Sequence, residues 1–444
     1  MPISPARIAA FEVLLRVETA NAYASELLHA SRYAKLSPAD HGLATEIVLG
    51  ILRWRSFVDQ QIAGYSSVKL PKLDSEVLTA LRIGAYQIIF LDRVAKYAAV
   101  HESVELVKRS RKRSAVSYAN AVLRKLVGTT PPSPVSRILD SKTSAELAHS
   151  SSHPEWLVER WLQEFGLEFA RNICHYDQQV PETVVTVADS VVEQELVNDG
   201  LKLAPGELLR SARRVISGDP TRTREFRSGA ISIQDEASQL VALLVGHGSR
   251  ILDCCAAPGG KTKILAEQNP SGRLLALERH PHRARLLRKR IASRRVSVVA
   301  ADARQLPTTA VFDRILVDVP CSGTGTLARN PEIKWRLQPQ DLQELQSRQI
   351  AILSAAIERL AHGGQLVYST CSLEKEENEE VVRSALSAHS SIQLMDCRDR
   401  LAELRAEGTL TATNISSLTR GPNLRTIPGI HHCDGFFAAI VRKN

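Results

Sequence analysis

The sequence predicts an α/β protein. A doubly wound, mainly parallel sheet fills its last half, behind a small α+β connector and an all-α first third. Three observations carry this. From residue 229 to 444, β-branched runs alternate with helix-period runs, the pattern of stacked βαβ units. Residues 1–128 place apolar side chains at helical spacing, with almost no strand signal. Between them the stretch beginning at Thr129 reads Thr-Thr-Pro-Pro-Ser-Pro, which bars helix continuation and predicts a domain boundary.

With 444 residues the chain is too long for one ordinary domain. Hydrophobic content of 44% and charged content of 24% describe a globular protein. No apolar run approaches the ~20 residues of a membrane span. The start, Met1-Pro-Ile-Ser-Pro-Ala-Arg7, lacks the layout of a signal peptide. A cytoplasmic protein with no membrane partner is expected. Nothing demands an obligate protein partner, so a monomer is expected too. Seven scattered cysteines are not a disulfide framework. His431-His-Cys433 lacks further ligands at metal spacing, so no metal is expected. Net charge is +9, which suggests a polyanionic partner.

In the first third, Ile8, Phe11, Leu14 and Leu15 share one helical face, as do Leu43, Ile47, Val48 and Leu52. The run Lys108-Arg-Ser-Arg-Lys-Arg113 is densely basic, and Arg53, Arg55, Arg124 and Lys125 could add to it. Such a run is either a solvated helix end or a phosphate contact. Residues 98–108 (Ala-Ala-Val-His-Glu-Ser-Val-Glu-Leu-Val-Lys) and 118–124 (Tyr-Ala-Asn-Ala-Val-Leu-Arg) resemble the late helices of the NusB family of helical RNA-binding proteins.

Residues 140–228 read as the connector. A helix follows Pro154, and Trp156 and Trp161 are expected in its core. Thr183-Val-Val-Thr-Val187 reads as a strand, and residues 203–216 as a helix or a hairpin. Arg210, Arg213, Arg214, Arg222, Arg224 and Arg227 make this region basic.

In the last half, strands are expected over residues 250–254, 273–278, 296–302, 312–318 and 365–368. The first is followed by Ala256-Ala-Pro-Gly-Gly-Lys-Thr262. A Walker A loop needs a glycine at position 255, which is cysteine, and no G-x-G-x-x-G is present. What remains is a tight glycine turn that lets backbone approach a ligand. Glu278 follows Gly259 by 19 residues and closes the second strand, where an acid commonly takes ribose hydroxyls. Asp302 ends the third. Each acid, with Asp253, could instead cap a turn. Together, and without a phosphate cradle, they suggest a nucleoside cofactor lacking phosphates, which S-adenosyl-L-methionine fits.

Two cysteines follow strand ends: Asp318-Val-Pro-Cys321 and Ser369-Thr-Cys371. A lone cysteine there is usually a small buried hydrophobe. Beside this cofactor fold, a thiolate has a use. Carbon 5 of a pyrimidine is a weak nucleophile, and sulfur attack at C6 makes it enamine-like. A helix expected to begin near residues 372–374 would favour the Cys371 thiolate.

Asp253-Cys-Cys-Ala-Ala-Pro-Gly-Gly-Lys-Thr262, Asp318-Val-Pro-Cys-Ser-Gly-Thr-Gly325, Asn330-Pro-Glu-Ile-Lys-Trp335, Tyr368-Ser-Thr-Cys-Ser372 and Asp434-Gly-Phe-Phe437 resemble the RNA 5-methylcytosine methyltransferase family. With the NusB-like front end, the similarity points to the bacterial branch acting on small-subunit rRNA. The resemblance implies a class I, Rossmann-like catalytic domain and 16S rRNA as partner. It implies Cys371 as nucleophile, Cys321 as release partner and Asp318 on the cytosine N3/N4 edge. Lys261 would lie near substrate or cofactor. The cofactor would be held by Cys255, Ala256, Ala257, Pro258, Gly259, Gly260, Lys261, Glu278, Arg283, Asp302 and Asp318. Cys254 and Val319 depart from the family pattern without removing a functional group. The same chemistry on another RNA such as tRNA, a non-catalytic antitermination factor, and a DNA cytosine methyltransferase with Cys321 as nucleophile are the alternatives.

Overall fold

The computed structural model describes residues 3–20, 22–129, 135–291 and 293–444. It forms two compact units: Met1–Val180 with Leu327–Arg336, and Pro181–Thr326 with Leu337–Asn444.

The first unit is helical. Its longer helices are Pro5–Ala20, Pro38–Arg53, Ser75–Phe90, Lys96–Arg109 and Val116–Val127. Local signals set their starts. Ser37 accepts from the Asp40 amide with Pro38 in the first turn, a capped N-terminus. Ile47, Ile51, Leu81, Ile83, Leu106 and Leu123 are fully buried, which is the apolar stripe the spacing required. Four further helices, Val135–Asp140, Ser144–Ser151, Glu155–Phe165 and Leu167–Asp177, belong to the same unit. Residues 140–228 are therefore not a separate connector. Their helices bury Trp161, 1% exposed, in the first unit, and their strands join the second. The proline stretch 130–134, where a boundary is expected, lies outside the described residues.

The motif Asn330-Pro-Glu-Ile-Lys-Trp335 is part of this helical unit. Glu332 Oε1 accepts from Ala24 N at 2.8 Å, and Lys334 Nζ donates to Arg53 O at 2.9 Å. Trp335 Nε1 donates to Leu52 O at 2.6 Å. The last two bonds occupy carbonyls at the C-terminal end of Pro38–Arg53, where a helix leaves its carbonyls without intrahelical partners. Arg53 itself is buried, so it does not extend the basic run.

The second unit holds two sheets. The smaller is antiparallel, in the order β2-β3-β1-β4: β1 Thr183–Thr186, β2 Lys202–Pro205, β3 Ala212–Ser217 and β4 Ser232–Ile233. The stretch left open between helix and hairpin is thus a hairpin. The larger sheet holds β5 Arg250–Asp253, β6 Arg273–Glu278, β7 Val296–Ala300, β8 Phe312–Asp318, β9 Leu360–Thr370, β10 Ile392–Met395, β11 Thr419–Arg420, β12 Asn423–Arg425 and β13 Phe437–Lys443. Its order is β11-β12-β13-β9-β8-β5-β6-β7, with β10 on β13. Strands β5 to β9 are parallel neighbours, as expected. Strands β10 to β13 are antiparallel additions. They make the sheet mixed, and β10 to β12, two to four residues each, are too short to show in the sequence. Among the described residues no helix is long and apolar enough to cross a membrane.

Candidate active site

Strands β5, β8 and β9 are adjacent and parallel, with Asp253 opposite Leu316 and Asp318 opposite Ser369. Their C-terminal ends therefore lie at one edge, where ligands bind in open α/β sheets. The chain continues from β8 into Cys321 and from β9 into Cys371. The two sulfurs are 3.3 Å apart, both are free, and both are half-buried. The hydrogen bond with Cys371, with burial, pushes the Cys321 thiol well up.

Lys261 stands in the first turn of the helix Gly260–Gln268. Its Nζ is 2.8 Å from Asp318 Oδ2 and 4.9 Å from the centre of the Phe436 ring. Burial works against its charge, but Asp318, then Cys371 and Asp253, outweigh it and raise its pKa. Asp318 also accepts from Ser369 Oγ at 2.8 Å. The resemblance's four catalytic candidates thus share one place: two thiols, a carboxylate and an ammonium. Asp253 is fully buried behind them. Burial, with Asp318 adding, pushes it up to about 7, against the bond from Thr262 Oγ1 at 2.8 Å.

The expected helix after Cys371 is absent. A three-residue 3-10 turn, Lys375–Glu377, comes first, and the helix proper is Glu379–Ala388. The chain instead folds around polar bonds: Asn378 Nδ2 donates to Ser372 O at 2.9 Å and Thr370 Oγ1 to Asn378 Oδ1 at 2.5 Å. A helix dipole fades within one turn. The charge beside Cys371 is therefore Lys261.

The glycine of Asp434-Gly-Phe-Phe437 has a steric reason. Gly435 N donates to Gly325 O at 2.8 Å; a Cβ on Gly435 would lie 2.9 Å from Gly325 Cα, and one on Gly325 would lie 2.2 Å from Gly435 O. Gly325 N in turn donates to Cys371 O at 2.9 Å. Two glycine backbones thus tie the loop after Cys321 to both Cys371 and β13.

The cofactor candidates lie along β5 to β7. Ala256 N donates to Leu277 O at 2.8 Å, which fastens the turn to β6. Gly259 has φ of +110°, and a Cβ there would lie 2.6 Å from Leu287. A Cβ on Gly260 would meet Gln234 at 2.7 Å. The positive φ favours glycine at 259, and at both positions a Cβ would crowd a neighbouring side chain. Ala257 and Pro258 are joined by a cis peptide. Cys255 is half-buried, and burial pushes its thiol well up. Glu278 Oε1 accepts from His280 N at 2.7 Å. Its other oxygen carries no hydrogen bond among the described residues, so it fits a ribose hydroxyl. Asp302 is more committed: Arg304 bonds it side-on at 2.6 Å and through its amide at 3.0 Å. Arg304 holds its pKa down to about 2. Arg283 is half-buried on the helix Pro281–Arg290. The set supplies a hydroxyl acceptor and no phosphate cradle, which suits S-adenosyl-L-methionine. His431 spends both ring nitrogens on Ile427 N and Ser417 O.

Sequence reasoning missed Glu377. It is fully buried, and its Oε1 accepts from Ser322 N and Gln349 Nε2, both at 2.8 Å. Its Oε2 accepts from Ser322 Oγ and from Ser372 Oγ. No signal picks it out, because it sits in the charged run Glu374-Lys-Glu-Glu-Asn-Glu-Glu380, which reads as solvated surface.

Comparison with known proteins agrees with this architecture. The NusB family model matches residues 4–128, and the model described as 16S rRNA methyltransferase RsmB/F matches residues 240–442. The probable ribosomal RNA small subunit methyltransferase B of Bacillus subtilis is 32% identical, over 98% of both chains. The protein given that name in Synechocystis is 31% identical over 99% of both. The solved structure of PH0851 superposes over the whole of both chains with a TM-score of 0.80 at 24% identity, which speaks for the fold. On full-length similarity above 30%, together with both matched models, the chain belongs to the 16S rRNA methyltransferase RsmB/F family.

Proposed function

We propose that this chain methylates carbon 5 of a cytosine in 16S rRNA through a covalent bond from Cys371 to C6 of the base. The observation that carries it is the thiol pair: Cys371 within 3.3 Å of Cys321, with Cys321 held as the protonated partner. Lys261 supplies an ammonium to the same edge, and a neighbouring ammonium is what a cysteine nucleophile needs.

The Cys371 sulfur bonds C6, and the electrons of the C5–C6 double bond shift so that C5 becomes nucleophilic. Bound S-adenosyl-L-methionine would supply the methyl group that C5 then takes. Elimination follows. Water takes the C5 proton, the C–H electrons restore the double bond, and the S–C6 bond breaks to return Cys371 as a thiolate, to which the Cys321 thiol 3.3 Å away can donate its S–H. Cys321 stands where it can assist that step. Asp318, held by Lys261 and Ser369, offers its carboxylate to the N3/N4 edge of the base. Glu278 and the turn 255–261 would hold the cofactor, with Arg283 and Asp302 at its nucleoside end. The base must leave its stack, which costs a few kcal/mol; binding of the rest of the RNA offsets that.

Bisulfite sequencing of rRNA from a strain lacking the gene tests this. One small-subunit cytosine should lose its methyl mark, and the purified protein with methyl donor should restore it. If every marked cytosine stays marked, the assignment is wrong.

A further inference from the structure

Between Glu278 and Asp302 the sequence carries eight lysines and arginines and no aspartate or glutamate. The stretch forms the helix Pro281–Arg290 and the loop into β7. Some of its charges serve the fold, with Arg288 donating to Val298 O and Arg290 to Pro258 O, but others do not. The first turn of the helix holds no acid, so Arg283 and Arg285 face the positive end of the helix dipole. Arg285 and Lys289 are four residues apart, a like-charge spacing that weakens a helix. Arg285, Lys289, Arg294 and Arg295 are exposed and make no ion pair among the described residues. Asp302, which ends the acid-free stretch, is taken by Arg304 at 2.6 Å and Arg279 at 3.7 Å.

The basic runs that the sequence singled out behave differently. Lys108, Arg109 and Lys112 pair with Glu105, Glu12 and Asp74. Arg213, Arg214 and Arg222 pair with Glu193, Glu182 and Asp219. Those cations are neutralised within their own unit. Arg111 and Arg113 of the first run are exposed without an ion pair among the described residues, but the unpaired charge of Arg285, Lys289, Arg294 and Arg295 is the set that lies beside the candidate site. Arg290 Nη1 donates to Pro258 O at 3.3 Å, so the helix abuts the glycine turn.

We propose that the exposed face of Pro281–Arg290, continued by the loop 293–295, binds the phosphate backbone of the RNA outside the reacting base. This rests on the reading of RNA as substrate. A polyanion removes the mutual repulsion that the fold leaves standing, and each phosphate contact releases counterions. The stretch 279–295 holds guanidinium and ammonium groups and no Phe, Tyr or Trp, so its grip is on the backbone rather than on sequence.

The test is a fourfold variant, Arg285→Ala, Lys289→Ala, Arg294→Ala and Arg295→Ala, compared with the parent chain. Binding to transcribed 16S rRNA is measured across a salt series with no methyl donor present. The dissociation constant should rise by about tenfold or more near 0.1 M salt, and the slope of log affinity against log salt should flatten by about 3. The melting temperature should hold or rise, since like charges are removed. Replacing the two exposed loop arginines by lysine should retain most of the binding. An unchanged affinity and slope overturn the proposal. So does loss of binding to phosphatidylglycerol vesicles while RNA binding stands, which marks a membrane surface. Because no methyl transfer is read, failure of the C5 chemistry leaves this result untouched. A parent chain that binds no rRNA sinks the reading beneath it.

Discussion

Glu377 Oε1 accepts from the Ser322 amide at 2.8 Å, and its other oxygen accepts from Ser372 at 2.5 Å. One buried acid therefore holds the residue after Cys321 and the residue after Cys371. Glu377→Ala leaves those buried donors without an acceptor, at a cost of about 1–3 kcal/mol each. It also frees two sulfurs now fixed at 3.3 Å. Misplacement by about 1 Å costs roughly 100-fold in rate. The expected result is a fall in kcat of that order with the KM for RNA little changed, and partial recovery with Glu377→Gln. A kcat equal to the parent's in a folded Glu377→Ala protein would remove Glu377 from the argument.

The two cysteines should fail in different ways. Cys371→Ala removes the attacking sulfur, so methylation and any covalent complex disappear. Cys321→Ala keeps the attack and slows release, so protein and RNA should run together on a denaturing gel. The reverse pattern, with Cys321→Ala dead and Cys371→Ala mild, would assign the nucleophile to Cys321 and contradict the proposed mechanism.

The sequence showed the parallel strands because β5 to β9 are apolar runs followed closely by an acid or a cysteine. It showed the thiol pair only as two positions at one sheet edge; the 3.3 Å contact comes from neighbouring β8 and β9. Strands β10 to β12 escaped because two- to four-residue strands leave little periodicity; length does not account for β13, which is as long as β8. Glu377 escaped because local charge density predicts solvent, whereas long-range bonds to Ser322 and Gln349 bury it. The basic runs misled for the same reason in reverse. Lys108 and Arg213 look free in sequence, and their partners Glu105 and Glu193 become apparent only in the fold.

Gly325→Ala is a steric test of the loop that carries Cys321. The new Cβ would lie 2.2 Å from the Gly435 carbonyl oxygen, a backbone atom that cannot rotate away. Relief requires moving either the Cys321 loop or the start of β13. Overpacking of this kind costs about 1–3 kcal/mol. The expected outcome is a lower melting temperature together with loss of the Cys321→Ala covalent complex in the double variant. Gly363→Ala makes a control for glycine loss alone, since φ there is +70° and open space surrounds its Cβ position. If Gly325→Ala behaves like that control, the close approach does not position the loop.

Lys334 gives the helical unit a pH dependence of known sign. Its side chain is 1% exposed, and its Nζ donates to Arg53 O at 2.9 Å. Burial pushes its pKa down to about 7, with Asp177 opposing in part. An unfolded lysine titrates near 10.4. Between about pH 7 and 10.4 the unfolded chain therefore holds more protons than the fold, and stability must rise with pH across that window. His153 is also pushed down by burial, but an unfolded histidine is largely neutral above pH 7, so it adds little there. The protein has four tryptophans, and Trp54, Trp156, Trp161 and Trp335 all lie in the helical unit. Urea unfolding followed by tryptophan fluorescence thus reports that unit alone. The midpoint should climb from pH 7 to 9 in the parent chain, and Lys334→Met should flatten the climb. An equal climb in both would mean that Lys334 stays charged in the fold, with Asp177 outweighing burial.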